Sequence, residues 1–217
     1  AHTGSSVLCV RFSNKSNYLA SAGDDACVCV FAKTLHDWNR IKLCRGHGLD
    51  VIDLAWAPDD SHLVSCSLDS ATPIIVWKID TEGIICNPFR ILGQTIHTST
   101  VKGVTFDPAG SYLASSGDDP AVCIWRAHDD WGLEARIDSG IFRQWKDDDA
   151  STQSLFRRIS WSTDGAFVVA TNAIVKNKHV ASTISREGWA VAGSNQLTAG
   201  AANLVGHKQP VVVSRHS

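Results

Sequence analysis

His47, Ser65 and Asp69 place a histidine, a serine and an acid within one short stretch of this 217-residue chain. Together such side chains can activate a nucleophile: imidazole takes the hydroxyl proton and the carboxylate orients the ring. The same three types return as His97, Ser115 and Asp119, and earlier as His2, Ser21 and Asp25. From His to Asp is 23 residues in the first set and 22 in each of the other two. A hydrolase needs one triad, and no G-x-S-x-G nucleophile elbow surrounds any of these serines. Recurrence at fixed spacing marks a repeated building block, so the three types read as structural rather than catalytic. The nine histidines form no H-x-x-x-H pair and none sits beside cysteines at zinc spacing, so neither metal nor cofactor is expected. Arg157-Arg158 and Lys176-Asn177-Lys178-His179 are the only basic groupings, and no Gly-rich phosphate loop accompanies them.

The elements that must position these residues are short strands. After Gly46-His47, an alternating apolar run covers Val51 to Trp56, and Pro58-Asp59-Asp60 breaks it. Leu63–Ser67 is a second strand, Asp69-Ser70 a turn and Ile74–Trp77 a third strand. A Gly-His start, a Trp end and strands between are the signature of a WD40 repeat, which supplies one four-stranded sheet to a propeller. Repeats fall at roughly 2–31, 47–77, 97–125 and 155–189, with a partial one at 204–217. Asp25 to Phe31 and Asp119 to Trp125 are each six residues, whereas Asp69 to Trp77 is eight, an insertion that includes Pro73.

In this repeat type the His, strand Ser, turn Asp and final Trp typically form a buried hydrogen-bond chain. The chemistry fits, because Asp accepts, His relays, Ser does both and an indole N–H only donates. The expected sets are His47, Ser65, Asp69 and Trp77, and His97, Ser115, Asp119 and Trp125. The first repeat has Phe31 where the others have Trp, so its chain lacks a donor and that blade is expected to be less rigid. The fourth repeat diverges. Lys146–Thr152 is acidic and polar where a Gly-His would stand, Phe156–Trp161 reads as its first strand, Phe167–Ala170 as its second and His179–Ile184 as its third. A Gly/Ala/Ser/Asn-rich loop then spans 190–203, and Leu204-Val205-Gly206-His207 reads as the start of a fifth repeat.

The bulk composition agrees with one all-β domain or two small ones. A net charge of −2, with 19% charged residues, gives no general reason to expect a bare polyanion partner. Eight Trp suit packing between sheets. Seven cysteines include no C-x-x-C, and Cys27, Cys29, Cys66 and Cys123 fall inside strands, so they read as buried thiols of a reducing compartment. No apolar run approaches a membrane span and no signal peptide shows. The chain starts within a repeat and lacks Met, which reads as a piece of a longer protein whose first and last blades expose their flanks.

One position varies informatively. Three residues before the aromatic that ends each first strand stand Cys9, Asp53, Gly103 and Arg158. Arg158 is the outlier. It reads either as a solvated residue pairing with Asp53, or as an anchor for an acidic or carbonyl-rich partner segment.

Several stretches resemble one family, the HIRA/Hir-type histone chaperone subunits. They are YLASAGDDACVCVF (Tyr18–Phe31), VIDLAWAPDDSHLVSCSLD (Val51–Asp69) and TVKGVTFDPAGSYLASSGDDPAVCIW (Thr100–Trp125). Most telling are FRRISWSTDG (Phe156–Gly165) and SREGW (Ser185–Trp189), followed by LVGHKQPV (Leu204–Val211). Asp107-Pro108 and the REGW run are not general features of the repeat. The resemblance implies an all-β WD40 β-propeller, here about four blades plus a partial one of an expected seven. It implies a nuclear, non-catalytic scaffold for replication-independent nucleosome assembly and transcriptional repression. Implied partners are a ubinuclein/Hpc-type subunit, an Asf-type histone chaperone and, indirectly, histones, with no membrane and no direct nucleic-acid binding. Arg158 matches the family's motif position, and with Arg157 and Asp53 it forms the expected partner-contact set. The alternatives are the middle subunit of chromatin assembly factor, against which REGW argues, and a WD40 substrate receptor of a ubiquitin ligase.

Overall fold

Short runs of β-branched and aromatic residues, broken every few positions by Gly, Pro, Asp and Ser, give strands joined by tight turns. The computed structural model describes residues 2–80, 83–84, 88–138, 142, 155–175, 178–191 and 203–205. Among these, all regular structure is strand, and no helix is long and apolar enough to cross a membrane. The Lys146–Thr152 stretch, Lys176-Asn177, most of the 190–203 loop and everything after Val205 lie outside the described residues.

The chain forms two units, Ala1–Thr95 and Ile96–Ser217. In the first unit, β1 (Val7–Phe12), β2 (Tyr18–Gly23), β3 (Cys27–Lys33) and β4 (Trp38–Arg45) pair in sequence order as one antiparallel sheet. The second sheet follows with β5 (Val51–Trp56), β6 (His62–Ser67) and β7 (Ile74–Asp80). Its outer position is shared by β8 (Gly83–Ile84) and β9 (Arg90–Leu92), which both pair with β7. Trp77, Leu63, Leu54 and Trp56 of the second sheet pack against Val28, Val30, Ala20 and Ala22 of the first. The order of packing shows in the inner strands. Phe12 of β1 is 61% exposed, while Trp56, at the matching position of β5, is 7% exposed because the first sheet covers it.

The second unit repeats the plan. β10 (Val101–Phe106), β11 (Tyr112–Gly117), β12 (Val122–Arg126) and β13 (Leu133–Ile137) make one sheet. β14 (Ser160–Trp161), β15 (Phe167–Val175), β16 (Lys178–Ser185) and β17 (Asn203–Leu204) make the other. Their shared core includes Val122, Ile124, Trp161, Val168, Val180 and Ile184.

Two expectations for the fourth repeat need correction. Its first strand, Ser160–Trp161 paired with β15, is shorter than Phe156–Trp161, with Arg158 in a separate bridge, and Phe142 bridges β15 at Ala173. Leu204 does not open a fifth blade, since it pairs with Ala181 as the outer strand of the fourth sheet. The reason is general to the repeat. In each sheet the outer strand comes after the closing aromatic, so the residues just before a Gly-His complete the preceding sheet. All six described cysteines are buried and unbridged.

Candidate functional site

The repeated serines sit on the second strand of their sheets, where alternation turns them inward. Ser65 and Ser115 are both 0% exposed. Ser115 donates its hydroxyl to His97 Nε2 at 2.8 Å, and His97 Nδ1–H donates to Asp119 at 2.9 Å. Trp125 Nε1–H donates to the same Ser115 oxygen at 2.9 Å. The tautomer follows from the partners: a carboxylate cannot donate, so Nδ1 carries the proton. The distances are those of a catalytic triad, yet the serine oxygen is sealed in and also receives an indole proton. A substrate carbonyl has no approach to it.

The second repeat differs at one link. Ser65 meets His47 Nε2 at 2.7 Å and Trp77 Nε1–H donates to Ser65 at 2.9 Å. Asp69 does not reach the His47 ring. His47 Nδ1–H donates to the Thr72 carbonyl at 2.7 Å, and Asp69 receives the Thr72 hydroxyl at 2.6 Å and the Gly48 N–H at 2.8 Å. The insertion that includes Pro73 lengthens the turn and places Thr72 between ring and acid. Burial then pulls the His47 pKa down to about 4, with Thr72 and Asp69 opposing. In the first repeat His2 joins Asp25 and Ser21, each at 2.9 Å, and Phe31 supplies no donor.

The variable inner-strand position behaves consistently within each unit. Each of the first three inner strands has a bulge just before it, between Val7 and Cys9, Val51 and Asp53, and Val101 and Gly103. Cys9 Sγ–H meets Asp53 at 3.3 Å, and Arg11 Nη2–H donates to the same Asp53 oxygen at 2.6 Å. Asp53 is 2% exposed, so its charge is held by Arg11 and is not offered to a partner. Arg157 is also 2% exposed, with Nε 3.1 Å from Asp118 Oδ1. Burial lowers the pKa of its guanidinium and Asp118 opposes the shift. Those two members of the expected contact set are therefore internal, because strand alternation and the neighbouring sheet enclose them. Arg158 alone of the three is partly exposed, its guanidinium 4.5 Å from the centre of the Phe156 ring.

A further contact was not legible in the spacing. Asp107 of the Asp-Pro pair is fully buried, and Arg186 of the REGW run donates to its Oδ2 at 3.0 Å. The other Asp107 oxygen receives the Tyr112 N–H at 2.7 Å. The Arg186 guanidinium lies over Tyr112 at 4.9 Å and over Trp161 at 5.9 Å, and Trp189 meets both rings edge-on. The two motifs that set these repeats apart thus touch, and they tie the third sheet to the fourth. Arg186→Ala strands a buried carboxylate. With Arg186 itself about a third exposed, the expected loss is about 2 kcal/mol, confined to the second unit and read as faster amide exchange in β14–β16.

Comparison with known proteins agrees with this architecture. The family profile described as "WD domain, G-beta repeat" matches residues 1–31, 38–71 and 90–126. Protein HIR1 of Mycosarcoma maydis is 35% identical over 231 residues, covering 100% of this chain and 20% of that protein. Protein HIR1 of Cryptococcus neoformans is 37% identical, over 88% of this chain and 21% of that protein. Protein hir1 of Schizosaccharomyces pombe is 34% identical, over 98% of this chain and 22% of that protein. The chain spans about a fifth of the length of these curated relatives. With its four antiparallel sheets, repeated His–Ser chains and a match to these proteins over 88–100% of its own length, the chain is a WD40 repeat region of the HIRA/Hir type.

Proposed function

We propose that the chain acts as a non-catalytic scaffold within a nuclear histone chaperone complex, serving replication-independent nucleosome assembly and transcriptional repression. The observation that carries this reading is the Asp107–Arg186 pair. It builds the two family-specific stretches into one inter-sheet contact, which supports kinship in architecture as well as in sequence. The buried serines leave the Ser-His-Asp sets with a framework role. Binding then falls to surface groups, and Arg158 on Phe156 is the group we assign to a ubinuclein/Hpc-type subunit. An Asf-type chaperone and histones join through the complex.

The test is affinity capture of the tagged protein from nuclear extract, with bound proteins identified by mass spectrometry. Recovery of ubinuclein-type and histone-chaperone subunits is expected. Replication-linked assembly factors alone would instead favour the middle subunit of chromatin assembly factor, and cullin adaptors a ubiquitin-ligase receptor. Either result overturns the proposal.

A further inference from the structure

Resting on the reading of Arg158 as a partner contact, we propose that Asp118 and Gly103 position it, and that the site recognises a carboxylate beside an apolar side chain. The segment entering β14 is pinned at two points. At the first, Arg157 turns inward to Asp118. Asp118 Oδ2 also receives Lys102 Nζ at 2.6 Å and the Thr100 hydroxyl at 2.9 Å, so one carboxylate gathers two buried cations. At the second, the backbone of Arg157–Ile159 lies directly on Gly103. A Cβ there would stand 2.4 Å from the Arg157 oxygen and 3.1 Å from the Arg158 Cα, so only glycine permits the approach.

With Arg157 held inward, alternation directs Arg158 to the opposite side. There its guanidinium lies on Phe156, which alternation places on the same side. A cation resting on a partly exposed aromatic face suits a segment that alternates acidic and apolar side chains.

Charge and positioning make opposite predictions for Asp118. Removing a carboxylate from a cationic neighbourhood should, by charge alone, tighten an anion. Loss of the pin should weaken it, because Arg158 would no longer be held out. The probe is a fluorescein-labelled peptide of alternating Asp and Leu, with its Asn–Leu counterpart as control. Fluorescence anisotropy is read well below the unfolding temperature, with near-UV circular dichroism on each sample. The parent should prefer the Asp peptide, and Asp118→Asn and Gly103→Ala should each weaken it about tenfold with packing intact. Asp118→Asn binding as tightly as the parent, or more so, overturns the positioning role. Equal affinity for both peptides overturns carboxylate recognition. Arg158→Ala with undiminished affinity overturns the contact on which the inference rests. If Asp118→Asn does not fold, Gly103→Ala decides, since it alters no charge.

Discussion

Ser65→Ala should destabilise the first unit by about 3 kcal/mol, while Ser21→Ala should cost it about 1–2 kcal/mol. Both serines sit on the second strand of their sheets and both bond a histidine. The difference lies in the third partner. Ser65 also receives the Trp77 indole proton, and Trp77 is fully buried, so alanine leaves two buried polar groups without partners. Ser21 serves His2 alone, because Phe31 has no proton to give. Hydrogen exchange resolves the two sheets, which a single melting curve over two units would not. Protection should fall in β5–β7 for Ser65→Ala and much less in β1–β3 for Ser21→Ala. Equal losses in the two sheets would mean that the Trp77 bond adds nothing.

Mild acid should weaken the first unit through His47. Its pKa is lowered to about 4 in the folded chain by burial, against about 6.5 unfolded. Between those values the unfolded chain binds more protons, so stability rises with pH. The contribution is fully present above about pH 6.5 and is lost as pH falls toward 4, up to about 3 kcal/mol. Protonation puts a donor on Nε2, where the Ser65 hydroxyl now donates. Denaturant midpoints at pH 7 and pH 4.5 should differ strongly for the parent. His47→Gln, which removes the titrating ring, should reduce that difference, and an unchanged difference would place the acid sensitivity in other groups.

The strands were legible because alternation and turn residues are local signals. Val51–Trp56 and Ile74–Trp77 begin where the pattern places them. The outer strands were less visible. Trp38–Arg45 is mostly exposed and Leu133–Ile137 only partly buried, so neither carries a strong apolar period. The Ser–His links could be read from spacing, because one repeat constrains the next. The Asp69 link could not, since the residues that lengthen the turn also redirect the His47 proton to a backbone carbonyl. Backbone acceptors leave no trace in residue type. In the fourth repeat the Phe142 bridge to Ala173 joins residues about thirty positions apart, beyond any local pattern. Arg157 and Arg158 look alike in sequence. Only the sheet decides that one turns inward to Asp118 and the other rests on Phe156. Gly103 read as an unremarkable inner-strand residue until the backbone lying on it gave the reason for glycine.

In the proposed function, binding falls to the partly exposed Arg158 and the buried serine–histidine chains form the framework. Quantitative capture of partner subunits by the parent, Arg158→Ala and Ser115→Ala proteins tests this directly, at a temperature where near-UV circular dichroism shows all three folded. Arg158→Ala should lose the ubinuclein-type subunit while keeping its packing, and Ser115→Ala should retain the subunit despite a lower unfolding temperature. Full recovery by folded Arg158→Ala, with loss by folded Ser115→Ala, would contradict the account.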